Sequence, residues 1–409
     1  MRITQERAAT HPGARRSHNE DAVLDLPTVP LFAVADGMGG PQNGADAAGI
    51  ALNIVRQYAE PLVQANRRVL KQRSTANRLA LSNLLDDLFN SASRAITEEK
   101  GARQAANMGS TLVLATLVRN FAYIAHVGDS RAYLVRQGRL VRLTEDHSLA
   151  EYRYRRGRIT REEYEESPER RLLYQILGAG VEVEVDVAEV RLVDGDQLLL
   201  CSDGLTRALD EGDIAGLVDH DPDASTQRLI RAANEAGADD NVSVILVELE
   251  AETDDEPIEA LTDTLGKVFL FDGLSQPELL VIAPYLEEQV YEKGTTIFSE
   301  GDPGDAFYVV SSGKVRVSRR NTTLVDIKQG GHFGELALAR PAERSATCKA
   351  AARTRVFQLS RERFQELVRH KPDLGAKLTL ALLDAVGVRL RDLTERLSAV
   401  ERAVHGDFG

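Results

Sequence analysis

Val34-Ala35-Asp36-Gly37-Met38-Gly39-Gly40 carries an apolar run, Leu31–Ala35, into a glycine-rich turn with one carboxylate at the junction. Four more acidic stretches lie along the same half of the chain: Asn19-Glu20-Asp21, Val127-Gly128-Asp129-Ser130-Arg131, Cys201-Ser202-Asp203-Gly204-Leu205 and Asp239-Asp240-Asn241. A carboxylate placed where an apolar run meets a glycine suits a hard cation. The strand fixes the ligand, and the glycine lets the backbone turn so that carbonyls and waters also reach the ion. Ligation by carboxylate and carbonyl, with no His or Cys in the set, selects Mg²⁺ or Mn²⁺ over zinc.

Around these stretches the pattern predicts strands at Leu31–Ala35, Thr111–Val118, Phe121–Val127, Ala132–Val135, Gln197–Cys201 and Val242–Leu249. Turns are expected at Arg119-Asn120, Gln137-Gly138 and Asp194-Gly195-Asp196. Two long helical stretches, Ala45–Ala65 and Ala76–Glu99, lie between the first two of these strands. Strand pairs interrupted by a helix pair imply packed sheets with helices outside, an α+β architecture.

Composition bounds the rest. The 409 residues are enough for two domains, and a net charge of −13 argues against nucleic acid or an anionic membrane as the main partner. No run of about 18 apolar residues occurs, and the opening residues lack the apolar core of a signal peptide. The only two cysteines, Cys201 and Cys348, lie in apolar strand-like runs without a neighbour at metal-ligand spacing, and are read as reduced core residues. The expected compartment is the cytoplasm.

The segment 1–249 therefore reads as one domain. Residues 250–265 read as an acidic linker, because Glu250–Glu259 holds six carboxylates, no base and Pro257. Beyond it, Gly294, Gly301, Gly304, Gly313, Gly330, Gly331 and Gly334 separate short β-type runs, the rhythm of a small all-β roll or barrel over 266–365. The segment 366–409 turns helical. Leu383, Val386, Leu390, Leu393, Leu397, Val400 and Val404 alternate three- and four-residue steps, an a/d seam that predicts a homodimer through a coiled coil or one helix folded back on its own domain.

The five acidic stretches, in this order and spacing, resemble the metal-dependent protein phosphatase (PPM) family over about residues 3–249. The resemblance implies an αββα sandwich with metals at one end. It implies that Asp36 bridges two divalent ions, that the Gly37 carbonyl binds one of them, and that Asp203 and Asp240 hold the other. Asp21 would act largely through coordinated water. Asp129, with Asp203, matches the positions of a third, weaker metal in bacterial relatives, and Arg16, five residues before Asp21, matches the phosphate-gripping arginine.

Paired divalent ions lower the pKa of a bridging water, so that hydroxide can attack phosphorus in line without a covalent enzyme intermediate. A guanidinium fork pairs with two phosphate oxygens as charge spreads in the transition state. One departure is clear: many eukaryotic relatives carry a histidine where this chain has Met38, so it follows the bacterial pattern. His126 and His147 read as structural. Residues 152–171, with seven arginines and five glutamates, match the flap of bacterial relatives. Arg153, Arg155, Arg156 and Arg158 could attract a phosphoprotein or form a solvated, salt-bridged hairpin.

Residues 266–365 resemble a cyclic nucleotide-binding domain, through LFDGLSQPELL, KGTTIFSEGDPGDAFYVVSSGKVRV and FGELALARPAERSAT. The last stretch matches that family's phosphate-binding cassette. It implies that Glu335 accepts the ribose 2′-hydroxyl and that Arg344 pairs with the cyclic phosphate. Backbone amides near Gly334, Leu336 and Ala337 would complete an anion nest, with Ser345 adding a hydroxyl. Threonine at 345 would point to cGMP; serine suits either base, and the expectation leans to cAMP.

The combined expectation is a cytoplasmic phosphoserine/phosphothreonine phosphatase that takes Mn²⁺ or Mg²⁺ and acts on phosphorylated proteins. A cyclic nucleotide bound to the second domain would regulate it. No DNA-recognition helix follows the C-terminal helix, so the output is expected to be the phosphatase. The alternatives are a nucleotide-sensing binding protein that uses the phosphatase fold as an interaction surface, and a phosphatase whose roll is only a scaffold.

Overall fold

The computed structural model describes residues 2–385 and 387, apart from 27–28, 73, 106, 181, 251–264, 267, 275, 321 and 341. The chain forms two compact units, Met1–Asp255 and Glu256–Gly409.

The first unit runs β1 (Arg2–His11), β2 (Asp21–Leu26), β3 (Leu31–Met38), α1 (Pro41–Gln57), α2 (Ala59–Lys71), α3 (Thr75–Arg103), β4 (Gly109–Ser110), β5 (Leu112–Val118), β6 (Phe121–Val127), β7 (Arg131–Arg136) and β8 (Arg139–Arg142). It continues with α4 (Leu149–Arg155), α5 (Arg161–Glu166), β9 (Asp186–Arg191), β10 (Gln197–Cys201), α6 (Asp203–Ala208), α7 (Glu211–Leu217), α8 (Pro222–Glu235) and β11 (Val242–Glu250). One sheet has the order β1-β11-β10-β7-β8 and the other β2-β3-β5-β6-β9, with β4 paired to β3. Every pairing is antiparallel.

Strands β10 and β11 lie against β2, β3 and β5, which brings the sheets face to face. The outer faces are covered separately. Leu31, Ala33 and Ala35 of β3 pack with Ala47, Ala48, Ala51 and Val55 of α1 and with Leu81, Leu85, Leu88 and Phe89 of α3. The alanines on α1 let the helix lie close to the sheet. Leu199, Cys201, Val244 and Leu246 pack with Leu205, Ile214, Leu229 and Ala233 of α6–α8. The period-2 alternation of β3 thus sends Phe32 and Val34, also fully buried, to the opposite face. The αββα sandwich is present.

Local chemistry starts and ends these helices. Pro41 opens α1, Ser74 caps α3 by accepting from the Asn77 N–H, and Asp221 with Pro222 starts α8. The expected helix at Ala45–Ala65 is two helices, with Tyr58 ending α1 and starting α2. The six expected strands are present, and β1, β2, the two-residue β4, β8 and β9 are additional. The turns at Arg119 and Gln137 take positive φ of 53° and 52°.

The second unit holds α9 (Gln276–Ile282), β12 (Glu287–Tyr291), β13 (Thr296–Phe298), β14 (Pro303–Gly304), β15 (Ala306–Ser312), β16 (Lys314–Arg319), β17 (Thr322–Lys328) and β18 (His332–Phe333). Then come α10 (Leu336–Ala339), β19 (Ala342–Glu343), β20 (Thr347–Ala350), β21 (Thr354–Ser360) and α11 (Arg361–His370). Two four-stranded sheets, β12-β21-β15-β18 and β13-β20-β16-β17, and the pair β14-β19 make a roll rather than a closed barrel. Strand β15 shows why: Ala306, Tyr308 and Val310 pack with Phe333, Cys348 and Val356, whereas Phe307 and Val309 pack with Leu279, Ile282, Phe364, Leu367, Leu374 and Leu378 of the flanking helices.

Residues 372–385 are helical, with Leu380 and Leu383 exposed. The rest of the predicted seam, Val386 and Leu390 to Val404, lies outside the described residues. Among the described residues, no helix is long and apolar enough to cross a membrane.

Candidate functional site

Both sheets contribute acids to one end of the sandwich. Asp21 opens β2 and Asp36 lies two residues before the end of β3, and the two are directly paired across the ladder. Asp129 follows β6 after Gly128, which takes φ 105°. Asp203 is the first residue of α6, two residues past the end of β10, and Asp240 lies two residues before β11. Close packing requires the glycines: a Cβ on Gly37 would lie 2.0 Å from the Gly44 carbonyl oxygen, and one on Gly204 2.0 Å from that of Asn241. The Asp36 backbone is pinned by Thr111, whose N–H donates to the Asp36 carbonyl at 2.8 Å and whose Oγ1 accepts from the Asp36 N–H at 3.1 Å.

These acids raise one another's proton affinity. Burial, and then the charges of Asp21, Asp203, Asp129 and Asp240, push the Asp36 carboxyl well above the usual range. Burial lifts Asp21 to about 7, against hydrogen bonds from Ser243 and Ser202 and with added repulsion from Asp203 and Asp240. Asp129 is raised by burial and by Asp203 and Asp146; Asp203 is raised by burial and Asp240 despite Arg207. The Ser202 hydroxyl donates to Asp21 Oδ2 at 2.7 Å, but Asp21 Oδ1 and Asp203 Oδ1 are buried without a partner. Orphaned carboxylate oxygens in a cluster of like charge fit a hard divalent cation, which would supply both the ligation and the counter-charge. Asp21, Asp36, the Gly37 backbone, Asp129, Asp203 and Asp240 are all brought to this one end.

Arg16 is drawn into the same place. It donates from Nη2 to Asp240 Oδ2 at 3.0 Å and approaches Glu20 at 3.6 Å, with 45% of its side chain exposed. The loop that carries it is held by Asn241, whose amide donates to the carbonyls of Pro12 and His18 at 2.9 Å while its oxygen accepts from the Glu20 N–H at 2.8 Å. Asn241 was legible only as part of an acidic stretch; its tying role needs partners some 220 residues away. Arg207 was missed altogether, and Asp239 was read only as part of the same acidic stretch. The spacing of Arg207 four residues after Asp203 at the start of a helix was the available signal.

A cavity of about 430 Å³ opens beside the acids, lined by Asp129, Asp203 and Arg207 on one side and by Glu165, Ser167, Arg170 and Arg171 on the other. The arginines on its wall are Arg131, Arg170, Arg171 and Arg207. Arg153 pairs with Glu169, Arg155 with Glu145, and Arg156 lies 4.7 Å over the Tyr152 ring. The hairpin starts from a capping box between Thr160 and Glu163.

On the cavity floor, Asp146 accepts both forks of Arg131, at 2.9 and 2.7 Å, and Arg142 Nη2 at 2.5 Å. Burial opposes its ionisation, but Arg142 and Arg131 outweigh it and hold the carboxyl down at about 2. His126 and His147 are buried with ring centres 4.7 Å apart. His126 Nε2 lies 2.7 Å from the Glu145 carbonyl, and His147 Nε2 lies 3.4 Å from Asp186 Oδ2.

In the second unit, Glu335 and Arg344 are both buried against a cavity of about 210 Å³ that Gly334, Ala337 and Ser345 also line. Arg344 donates to the Ala306 carbonyl at 2.8 Å and to Asp305 at 3.3 Å, and stacks 4.1 Å over Phe298; its Nε is buried without a partner. Gly334 takes φ 82°, and a Cβ there would lie 2.8 Å from Arg344 Nη1. Leu336 opens α10, and the Ala337 N–H donates to the Gly334 carbonyl at 3.1 Å. Val317, Val325 and Ile327 make an apolar stretch of the wall, and His332 and Glu343 line it as well.

Comparison with known proteins finds a family match for each unit. Residues 11–247 match the protein phosphatase 2C family and residues 288–371 the cyclic nucleotide-binding domain family. The serine/threonine phosphatase stp of Listeria welshimeri is 33% identical over 244 residues, which are 58% of this chain and 93% of that protein. The serine/threonine phosphatase structure of S. agalactiae superposes with a TM-score of 0.54 at 31% identity, covering 60% of this chain and 99% of that one. The catalytic domain of the phosphatase PstP, solved with 2 manganese ions, gives 0.50 at 29% identity, covering 60% and 97%. With its acids gathered at one end of the sandwich and the family match spanning more than half its length, the chain belongs to the protein phosphatase 2C family of serine/threonine phosphatases and carries a cyclic nucleotide-binding domain behind it.

Proposed function

We propose that this phosphatase removes phosphate from phosphoserine and phosphothreonine in proteins by direct attack of water at a two-metal centre, and that a cyclic nucleotide bound to the second unit alters turnover. The observation that carries the first part is the convergence of Asp21, Asp36, Asp129 and Asp203, each with its carboxyl raised by burial and by its neighbours. Mn²⁺ or Mg²⁺ bound there would polarise the phosphate and make water acidic enough to serve as nucleophile near neutral pH. Asp36 and the Gly37 carbonyl are assigned to one ion, with Asp36 shared by a second that Asp203 and Asp240 hold. Asp21, hydrogen-bonded by Ser202, would act largely through metal-coordinated water. Asp129 with Asp203 is assigned to a weaker third ion. Arg16 holds Asp240 by Nη2 alone; cations on Asp240 would free the guanidinium for two phosphate oxygens.

The second part is supported by the burial of Glu335 and Arg344 around one cavity. Glu335 is assigned to the ribose hydroxyl, and Arg344, Ser345 and the backbone of Gly334, Leu336 and Ala337 to the cyclic phosphate. The nucleotide is assigned as cAMP, with Ser345 at the position where threonine would point to cGMP. A homodimer through the heptad seam that begins at the exposed Leu383 and a cytoplasmic location, supported by two free buried cysteines, complete the proposal.

The test is hydrolysis of a phosphothreonine peptide by the full-length protein with Mn²⁺, with and without saturating cAMP or cGMP. Metal-dependent turnover that Asp36→Asn abolishes, and that nucleotide changes, is expected. Turnover that survives in Asp36→Asn overturns the metal-centre assignment. Turnover indifferent to both nucleotides overturns the regulatory one.

A further inference from the structure

Arg207 lies one helical turn after Asp203 on α6 and shares its guanidinium among three acids. Nη1 donates to Asp203 Oδ2 at 3.0 Å and to Asp240 Oδ2 at 3.2 Å. Nη2 donates to both oxygens of Asp239, at 2.9 and 3.0 Å. On its far side Asp239 is met by Arg171 of the flap at 3.3 Å, so the three groups form a row, Arg207-Asp239-Arg171. Both arginines line the 430 Å³ cavity, and 20% of the Arg207 side chain is exposed.

We propose that Arg207 is a positioning residue that competes with divalent cations for Asp203 and Asp240 and, once displaced, is kept by Asp239 at the cavity wall to face the substrate phosphate. The geometry divides the guanidinium in two. Its Nη1 edge is spent on the two carboxylates assigned to a metal ion; its Nη2 edge is spent on an acid that is not. A cation on Asp203 and Asp240 takes their lone pairs and repels Arg207, so the first edge loses its partners while the second keeps its own. A buried guanidinium edge without acceptors is costly, and a phosphate dianion in the adjoining cavity restores charge-assisted hydrogen bonds. Metal loading and the preparation of a phosphate-binding edge thus become one event. The inference rests on the assignment of Asp203 and Asp240 as metal ligands.

The test is calorimetric titration of Mn²⁺ into metal-stripped full-length protein, paired with steady-state kinetics at saturating Mn²⁺. Arg207→Gln is expected to bind Mn²⁺ about tenfold more tightly, because a unit charge beside the ion is removed. Its KM for a phosphothreonine peptide is expected to rise roughly fivefold or more, with a smaller change in kcat. Arg207→Lys keeps the charge and should restore the parental Mn²⁺ affinity, while KM stays raised for lack of the fork. Asp239→Asn, at a site 38% exposed, removes the anchor and should raise KM in the same way. Unchanged or weaker Mn²⁺ binding in Arg207→Gln, or an unchanged KM in Asp239→Asn, overturns the inference alone. A parent protein that binds no Mn²⁺ overturns the metal-centre assignment and this inference with it.

Discussion

Asp146→Asn should unfold the phosphatase unit more easily without changing its shape. Asparagine fills the same space but leaves the buried Arg131 and the partly exposed Arg142 facing a neutral amide. The magnitude follows from the carboxyl, held at about 2 in the folded protein against an ordinary 3.8. At about 1.4 kcal/mol per tenfold of proton affinity, that difference is worth about 2–3 kcal/mol. Breaking a buried pair by removing one partner costs about 3–5 kcal/mol, so both routes converge near 3 kcal/mol. For a domain of this size the melting temperature should fall by roughly 6–12 °C.

Because the folded carboxyl is the more acidic one, its contribution is complete above pH 3.8 and disappears as pH falls through about 2. Urea unfolding of parent and variant, saturated with Mn²⁺ and followed from pH 8 downward, should give a gap that is constant to about pH 4 and narrows below. A gap under about 1 kcal/mol at pH 7 would refute the reasoning, since a pair of that geometry would then be doing no more than an exposed one. So would a gap that does not depend on pH in the acid range.

Metal removal should be felt more at high pH. Asp21, raised to about 7, keeps its proton in the folded metal-free protein, so raising pH from 5 to 8 should lower the melting temperature of the chelated enzyme, and Mn²⁺ should add more stability at pH 8 than at 5.5. Differential scanning calorimetry with and without chelator checks this. Arg344→Gln should abolish cAMP-induced thermal stabilisation while metal-dependent turnover without nucleotide persists, read by thermal shift and peptide hydrolysis in parallel. Leu383→Asp, at an exposed position on the predicted seam, should convert a dimer into a species of about 45 kDa by light scattering, whereas a monomeric parent would remove the coiled-coil proposal.

The residues by themselves determined the kind of chemistry. Carboxylates at strand ends beside glycines, with no His or Cys among them, select hard cations whatever the fold. The strands read from the sequence, β3, β5, β6, β7, β10 and β11, all have a partner on each side. Their buried faces leave a dense apolar record. The strands that were missed are the four sheet edges, β1, β2, β8 and β9, and the two-residue β4 that pairs only with β3. Arg2–His11 is mostly polar and half-exposed, and it is a strand because β11 pairs with it along its length, a contact made across more than 230 residues. Only the tertiary structure set Asp21 opposite Asp36, placed Asn241 between the two loops, and laid Arg207 across Asp203, Asp239 and Asp240. Local sequence records what a residue can bind and which face it buries; which charges share one small volume is decided by sheet register and by loops that meet from opposite ends of the chain.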